Sequence, residues 1–339
     1  MMQRISRILG TIAIMIVFTS PSVAQTTLYG GRGMLRVFSA ETVQSGTFYL
    51  NSFFISFLKG ESGSGLGKDH TLNFGLTYGL SSFVELTAQI VPYQDDQKHI
   101  WGPPGDTQIG FKFRLPLSTS GIKTGIRGFL SFPTAQNHNV PFEPFSSEQV
   151  AWGVMGLITF DMTNTFPLFP LKFHTNVGYL DHNINTIFSN EITDQLMLGF
   201  GFKIPVQSFI FYTEYTSEIF FNHEAINFRN NSMRLTQGFK FVGPLNIIID
   251  LGVDIGLSQE LNNDPAEIVH KYADWKIIGG LTYQFTAGKI NSKNTKVSKR
   301  NRREEERKLE EIKKKREKTD QDLEKMRKNL EKDSKKKPY

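Results

Sequence analysis

Between about residue 47 and residue 285 the chain repeats a single plan. Segments of roughly ten residues alternate apolar side chains with small or polar ones, and clusters of Gly, Asn, Ser and Pro separate them. From His70 to Gly79, Leu72, Phe74, Leu76 and Tyr78 fall on one side, with Thr71, Asn73, Gly75 and Thr77 on the other. In the next segment Val84, Leu86, Ala88 and Ile90 oppose Glu85, Thr87 and Gln89. Successive side chains of a strand point to opposite faces, so each segment predicts a β-strand with one apolar and one polar face. A helical period of 3.6 residues fits none of these runs.

About twelve such segments follow one another, over 46–58, 69–79, 83–93, 105–116, 121–132, 149–162, 169–182, 192–204, 207–218, 231–242, 245–257 and 274–286. Their lengths suit the roughly 9–11 residues of a tilted membrane-crossing strand better than the roughly 5–6 of an average soluble one. Hydrophobic residues make up only 39% of the 339, and no run is long and apolar enough to cross a membrane as a helix. That excludes a helical membrane protein and leaves a strand barrel, whose signal is alternation. Cys is absent, which excludes a disulfide framework, a thiolate metal site, a Cys nucleophile and a lipidated Cys.

The connectors alternate in length. Gly79–Ser82, the stretch around Ser118–Gly121, Pro205–Gln207 and Gly243–Pro244 are short; Lys59–Lys68, Gln94–Gly105, Thr134–Glu148, Asn183–Glu191, Phe220–Asn230 and Ser258–Tyr272 are longer. Short turns at one end and long loops at the other predict periplasmic turns and extracellular loops, and an even strand count leaves both chain ends on the periplasmic side. Segments running toward the short-turn end finish in Gly110-Phe111-Lys112-Phe113, Gly199-Phe200-Gly201-Phe202, Gly238-Phe239-Lys240-Phe241 and Gly280-Leu281-Thr282-Tyr283-Gln284-Phe285. Rings at i and i+2 share a face, as in an aromatic girdle at a membrane interface. Trp152, Trp275 and Trp101 fall toward the opposite rim. A soluble sandwich or lipocalin-like barrel is the alternative, and it would bury these rings.

The run Gly280-x-x-Tyr283-x-Phe285 resembles the terminal strand signal of Gram-negative outer-membrane proteins. The stretches Tyr78–Leu86 and Gly105–Lys112 are similar to turn-and-strand segments of porin-like barrels, especially the transporter family of the phenol-degradation meta-cleavage pathway. The resemblance spans most of residues 30–286. It implies outer-membrane lipid and the barrel assembly machinery as partners, and small solutes in the lumen.

With the apolar face toward lipid, parity places Lys112, Arg114, Lys123, Arg127, Lys172, Lys203, Arg234, Lys240 and Lys276 in the lumen, with Glu85, Glu214, Asp250 and Asp254. His174 lies inside a strand, on the same face. The lumen candidates are therefore Lys112, Arg114, Lys123, Arg127, Lys172, His174, Arg234, Lys240, Asp250 and Asp254. Charges face hydrocarbon only at a cost of about 2–4 kcal/mol at the midplane. Leu251→Lys is thus expected to impair assembly, while Asp250→Lys changes only the lumen. Two readings stay open for this face: an anion-preferring pore, or ion pairs filling a narrow barrel. About twelve strands lie between filled eight-stranded barrels and open 16–18-stranded porins.

No catalytic constellation stands out, and an enzyme, a cofactor and a metal site are not expected. His70, His99, His138, His182, His223 and His270 fall in loops or at strand ends. Ser62–Lys68 mimics a phosphate loop, yet Ser62 replaces its first glycine and Asp69 its Ser/Thr. The loop acids Asp95, Asp96, Glu260, Asp264 and Glu267 are best taken as solvated charge.

At the N-terminus, Arg4 and Arg7, the apolar run Ile8–Phe18, Pro21 and Ser22-Val23-Ala24 have the layout of a secretory signal peptide, residues 1–24. The run is too short to anchor across about 30 Å of hydrocarbon. Residues 25–45 form a periplasmic or plug segment before the barrel, 46–286. The 53 residues from Ala287 on carry 21 basic and 11 acidic groups, leaving 18 basic and 22 acidic elsewhere. The basic character therefore belongs to the tail, and gives no sign that the barrel binds nucleic acid. A linker, 287–298, leads to a charged periplasmic helix, 299–339. Pairs such as Glu304–Lys308 support that helix, while its heptad seam is interrupted at Arg316 and Thr319, a weak coiled coil. Its expected partner is the cell wall or an acidic periplasmic protein. The functional expectation is an outer-membrane barrel passing small solutes; the alternative is a structural barrel anchoring the basic helix to the envelope.

Overall fold

Twelve strands, each hydrogen-bonded to its neighbours in sequence, close into one antiparallel barrel when the last pairs with the first. The structure is a computed structural model that describes residues 25–61, 65–94, 102–116, 121–135, 149–163, 170–183, 194–220, 227–258 and 274–286. The chain divides into two units, 1–287 and 288–339, and the barrel belongs to the first. The expected signal segment, linker, helical tail and acidic loop residues lie outside the described residues, as do His99, His138, His223, His270 and Trp101.

The strands are β1 (Thr47–Glu61), β2 (Gly65–Gly79), β3 (Val84–Gln94), β4 (Thr107–Arg114), β5 (Ile122–Phe132), β6 (Ala151–Asp161), β7 (Lys172–Asp181), β8 (Gln195–Val206), β9 (Phe209–Phe220), β10 (Ser232–Val242), β11 (Ile247–Gly256) and β12 (Trp275–Thr286). These are the twelve segments that alternation predicts. The difference lies at Lys59–Lys68, expected as a long loop. There β1 and β2 keep pairing through Lys59↔Gly67, Gly60↔Leu66 and Glu61↔Gly65. A Gly-rich polar stretch reads as a turn, but an established hairpin adds ladder bonds with each further pair, whatever the side chains. The likeness of Ser62–Lys68 to a phosphate loop goes with it, since Gly65–Lys68 are strand backbone.

The barrel is apolar outside and polar inside. Phe111 is 53% exposed and Leu251 42%, while their neighbours Lys112 and Asp250 are buried. The same alternation holds on every strand from β3 to β6 and on β11, where Leu86, Ile90, Ile109, Ile126, Val154, Ile249 and Val253 all face outward. Such a continuous apolar surface is far larger than water tolerates on a monomer, and fits hydrocarbon. Aromatic rings gather at the short-turn rim. Phe48 stacks on Tyr78 at 4.2 Å and on Phe285 at 5.1 Å, and Phe209 meets Phe241 at 5.1 Å. Leu251→Lys is expected to destabilise the barrel by about 2–4 kcal/mol, read by denaturant unfolding in lipid vesicles. A loss below ~0.5 kcal/mol would contradict the lipid-facing assignment.

Residues 25–45 lie inside the ring. The segment folds on itself in two tight turns. Thr27 N–H donates to Gly31 O at 2.8 Å, Leu28 N–H to Leu35 O at 2.7 Å, and Ser39 N–H to Arg32 O at 2.9 Å. Gly30 and Gly31 take φ of +72° and +84°, open to glycine and strained for other residues. Met34, Leu35 and Val37 are fully buried against Phe53 and Ile55 of β1, Tyr212 of β9 and Ile278 of β12. The approach is tight: a Cβ on Gly201 would lie 2.1 Å from Met34 Cε.

Candidate functional site

Inward side chains of neighbouring strands meet in register, so the lumen charges form defined sets. Lys112 lies opposite Glu85 on β3 and Arg127 on β5, and Lys240 lies opposite Asp250. The internal segment binds to these sets through its backbone as much as through its side chains.

Glu214, deep in the barrel, accepts three consecutive backbone N–H groups: Leu35 at 3.2 Å, Arg36 at 2.8 Å and Val37 at 3.1 Å. Beside it, Arg36 makes a two-pronged bond to Asp254 at 2.9 and 2.6 Å, and Thr236 Oγ1 donates to the same carboxylate at 2.6 Å. Arginine forks and carboxylates match in this way, which makes the contact strong and directional. Glu85 is shared similarly. Lys112 Nζ lies 2.8 Å from it, and the backbone N–H groups of Arg32 and Val43 donate to its two oxygens at 2.9 and 2.8 Å. Asn176 imitates a strand partner, accepting from Phe38 N–H at 2.6 Å and donating to Phe38 O at 2.9 Å.

The other expected lumen residues have these places. Lys123 pairs with Glu41, and Lys172 lies 2.6 Å from Asp161 and 3.7 Å from Glu41. Arg32 completes that group at 2.8 Å from Glu41. His174 Nδ1 lies 2.9 Å from Thr159 Oγ1, which also accepts Ala40 N–H at 2.9 Å. Lys240 pairs with Asp250 and donates to Thr26 O at 3.1 Å, while Tyr212 OH donates to Asp250 at 2.8 Å. Arg234 binds Glu218 at 2.8 Å. Arg114 is half-buried at the short-turn end of β4, and Arg127 is buried near the middle of β5. Asp250 does face the lumen, as expected, but Asp250→Lys would not be a harmless change there. It would set two ammonium groups together beside an orphaned Tyr212 hydroxyl, a loss of several kcal/mol by the measure of broken buried pairs, about 3–5.

Burial raises the Glu41 carboxyl, but Arg32, Lys172 and Lys123 outweigh it and hold the group well below the usual carboxylate range. A depressed carboxylate stabilises the folded state above its unfolded value and gives that up only as pH falls through the folded one. Seating of the segment through Glu41 is thus expected to stay constant between pH 8 and about 5. Protease accessibility of residues 25–45 across that range checks it. A rise anywhere between about pH 8 and 5 would contradict it.

Toward the long-loop end the segment stops short. It leaves a vestibule of about 1640 Å³, counting the part open to solvent, with Leu28, Tyr29, Arg36 and Phe38 among its walls. Arg127 projects here, its guanidinium carbon 4.3 Å from the centre of the Phe38 ring and 4.5 Å from that of Phe129. Alternation identifies the inward carboxylates but not their occupant. A signal for it does exist: β1 is apolar on its inward side too, at Phe53, Ile55 and Phe57, which a water-filled lumen would not favour.

A closed ring of antiparallel strands, greasy outside and charged within, defines a transmembrane β-barrel with its lumen occupied by its own N-terminal segment. No protein-family model and no curated protein matches the chain. Among solved structures, the fold is similar to that of the NanC porin, at 10% identity and a TM-score of 0.45, over 70% of this chain and 98% of that one. It is also similar to an outer membrane channel from Pseudomonas putida F1, at 10% identity and 0.44, over 73% and 98%. A third is the outer membrane channel DcaP of Acinetobacter baumannii, at 12% identity and 0.32, over 70% and 71%.

Proposed function

We propose that the chain is an outer-membrane channel for small solutes, held closed at rest by residues 25–45 and opened when that segment leaves its seat. The observation that carries this reading is the way the segment is held. Its grip combines polar clamps, at Glu214, Asp254, Glu85, Glu41, Asn176 and Thr159, with apolar contacts that fall into three separate clusters rather than one continuous core. Polar clamps can be exchanged for water, whereas a continuous core could not be undone without unfolding. The vestibule lies on the long-loop side of the segment, lined by residues of the strand ends there, and offers solutes a place beside it. Inward cations outnumber acids on the strands, which supports a preference for anions once the lumen is open. The test is planar-bilayer conductance of the refolded full chain beside a form lacking residues 26–43. Rare, brief openings in the first and sustained current in the second are expected; silence in both overturns the reading.

The occupied lumen also favours a second reading, a closed barrel that anchors the basic segment 299–339 to the cell wall or an acidic periplasmic partner. Ten net positive charges follow Phe285, so such contact would be electrostatic and would weaken as salt screens it. A chain ending at Phe285 keeps every strand-forming residue but the last. Under this reading it inserts normally and no longer co-sediments with cell-wall material; under the first, truncation leaves conductance unchanged.

A further inference from the structure

We propose that the vestibule is a binding site for a small monocarboxylate with an apolar body, and that Arg127 holds its carboxylate. This deepens the solute-passage reading by naming the class of solute.

The argument begins with the counter-charges. Most buried cations among the described residues face a carboxylate: Lys112 has Glu85, Arg36 has Asp254, Arg234 has Glu218 and Lys240 has Asp250. Two do not. Lys203 donates to the Gln25 side chain at 3.0 Å and does not line the vestibule. Arg127 does line it, is 2% exposed, and makes no ion pair at contact distance among the described residues; Glu85, which acts on it from further off, is already bound to Lys112. Burying an unpaired charge is costly, so a fold that keeps one has a place for an anion beside it.

The geometry of Arg127 fixes the kind of anion. The rings of Phe38 and Phe129 hold the guanidinium by cation–π contact, which uses none of its N–H groups. Gln108 takes one bond from Nη2, and the remaining N–H groups of the fork have no protein partner among the described residues. Hydrogen-bonding capacity therefore remains on the guanidinium, whose planar fork matches the two oxygens of a carboxylate. A single unpaired charge suits a monoanion better than a phosphate dianion. Ile55, Val91 and Met155 line the same space among polar neighbours such as Asn73 and Gln89, so an apolar body finds hydrocarbon there on part of the wall. Phe38 belongs to the internal segment and Phe129 to β5, so the seated segment supplies one of the two rings and the barrel wall the other.

Hexanoate is the probe, with hexanol as its neutral counterpart and hexylammonium as the cationic one. Binding to the refolded full chain is measured by equilibrium dialysis, with protein-free micelles subtracted. Saturable hexanoate binding at one site is expected, at least about tenfold tighter than hexanol, with hexylammonium weakest. Arg127→Gln should lose that tenfold while the barrel keeps its heat-modifiable gel mobility, and Arg127→Lys should retain part of it. Equal binding of hexanoate and hexanol overturns the proposal, as does full hexanoate affinity in folded Arg127→Gln. Should that variant not fold, the three-ligand comparison on the unaltered chain still decides. Because binding is measured without passage, hexanoate that binds to a barrel silent in bilayers refutes the channel and spares the site. A conducting barrel blind to hexanoate does the reverse.

Discussion

Glu214→Ala is expected to turn a nearly silent barrel into a conducting one. Its carboxylate is the sole partner recorded for the Leu35, Arg36 and Val37 N–H groups among the described residues, and alanine offers them nothing. Hydrogen bonds to a charged group contribute about 1.5–3 kcal/mol each, and a buried donor left unsatisfied forfeits its desolvation cost as well. The three bonds share one carboxylate and do not add fully, so about 4 kcal/mol is a fair total loss. That corresponds to roughly a thousandfold shift from seated to released segment. Removing one buried carboxylate also relieves its own desolvation, but the three orphaned donors outweigh that gain because no replacement group reaches them. Glu214→Gln keeps an acceptor without the charge and should fall between. Single-channel recording gives the open fraction directly. An open fraction for Glu214→Ala equal to that of the unaltered chain would show that this clamp does not hold the gate.

The barrel was legible because its rule is local. A strand two side chains deep in alternation, such as Val84–Ile90, reveals its lipid face without knowledge of its neighbours, and Gly-Phe-Lys-Phe marks where it meets an interface. The inward charges were legible for the same reason. What they touch was not. Arg36 finds Asp254 across 218 positions of sequence, and Leu35 finds Glu214 across 179. No period links the two ends of such a contact, and the turns of residues 25–45 repeat nothing. Lys112 and Lys240 therefore read equally well as pore wall or as ion pair. The structure pairs them with carboxylates and leaves Arg127, their neighbour in type and parity, without one. The hairpin at Lys59–Lys68 misleads for the opposite reason: its composition is local and its pairing is not.

The combination of Ser39→Cys and Thr159→Cys is expected to place the gate under redox control. The two hydroxyl oxygens lie 3.3 Å apart, both residues are fully buried, and the chain has no Cys of its own to compete. Sulfur atoms at those positions need only a small approach to reach a bond of about 2.05 Å. The bridge would join the internal segment to β6 across 120 positions of sequence. Because the bond is covalent, residue 39 cannot leave β6 while the bridge is intact, whatever is lost at Glu214. In the Glu214→Ala background the oxidised protein should therefore be silent, and reductant should restore the current. The substitutions also remove something, since Thr159 Oγ1 accepts Ala40 N–H and Ser39 Oγ accepts Glu41 N–H. The reduced double variant alone should then open more often than the unaltered chain, by about five- to thirtyfold for a loss near 1–2 kcal/mol. Current that persists in the oxidised, gel-verified crosslinked form would mean that solutes pass the seated segment. The segment would then be a fixed lining of the lumen rather than its gate.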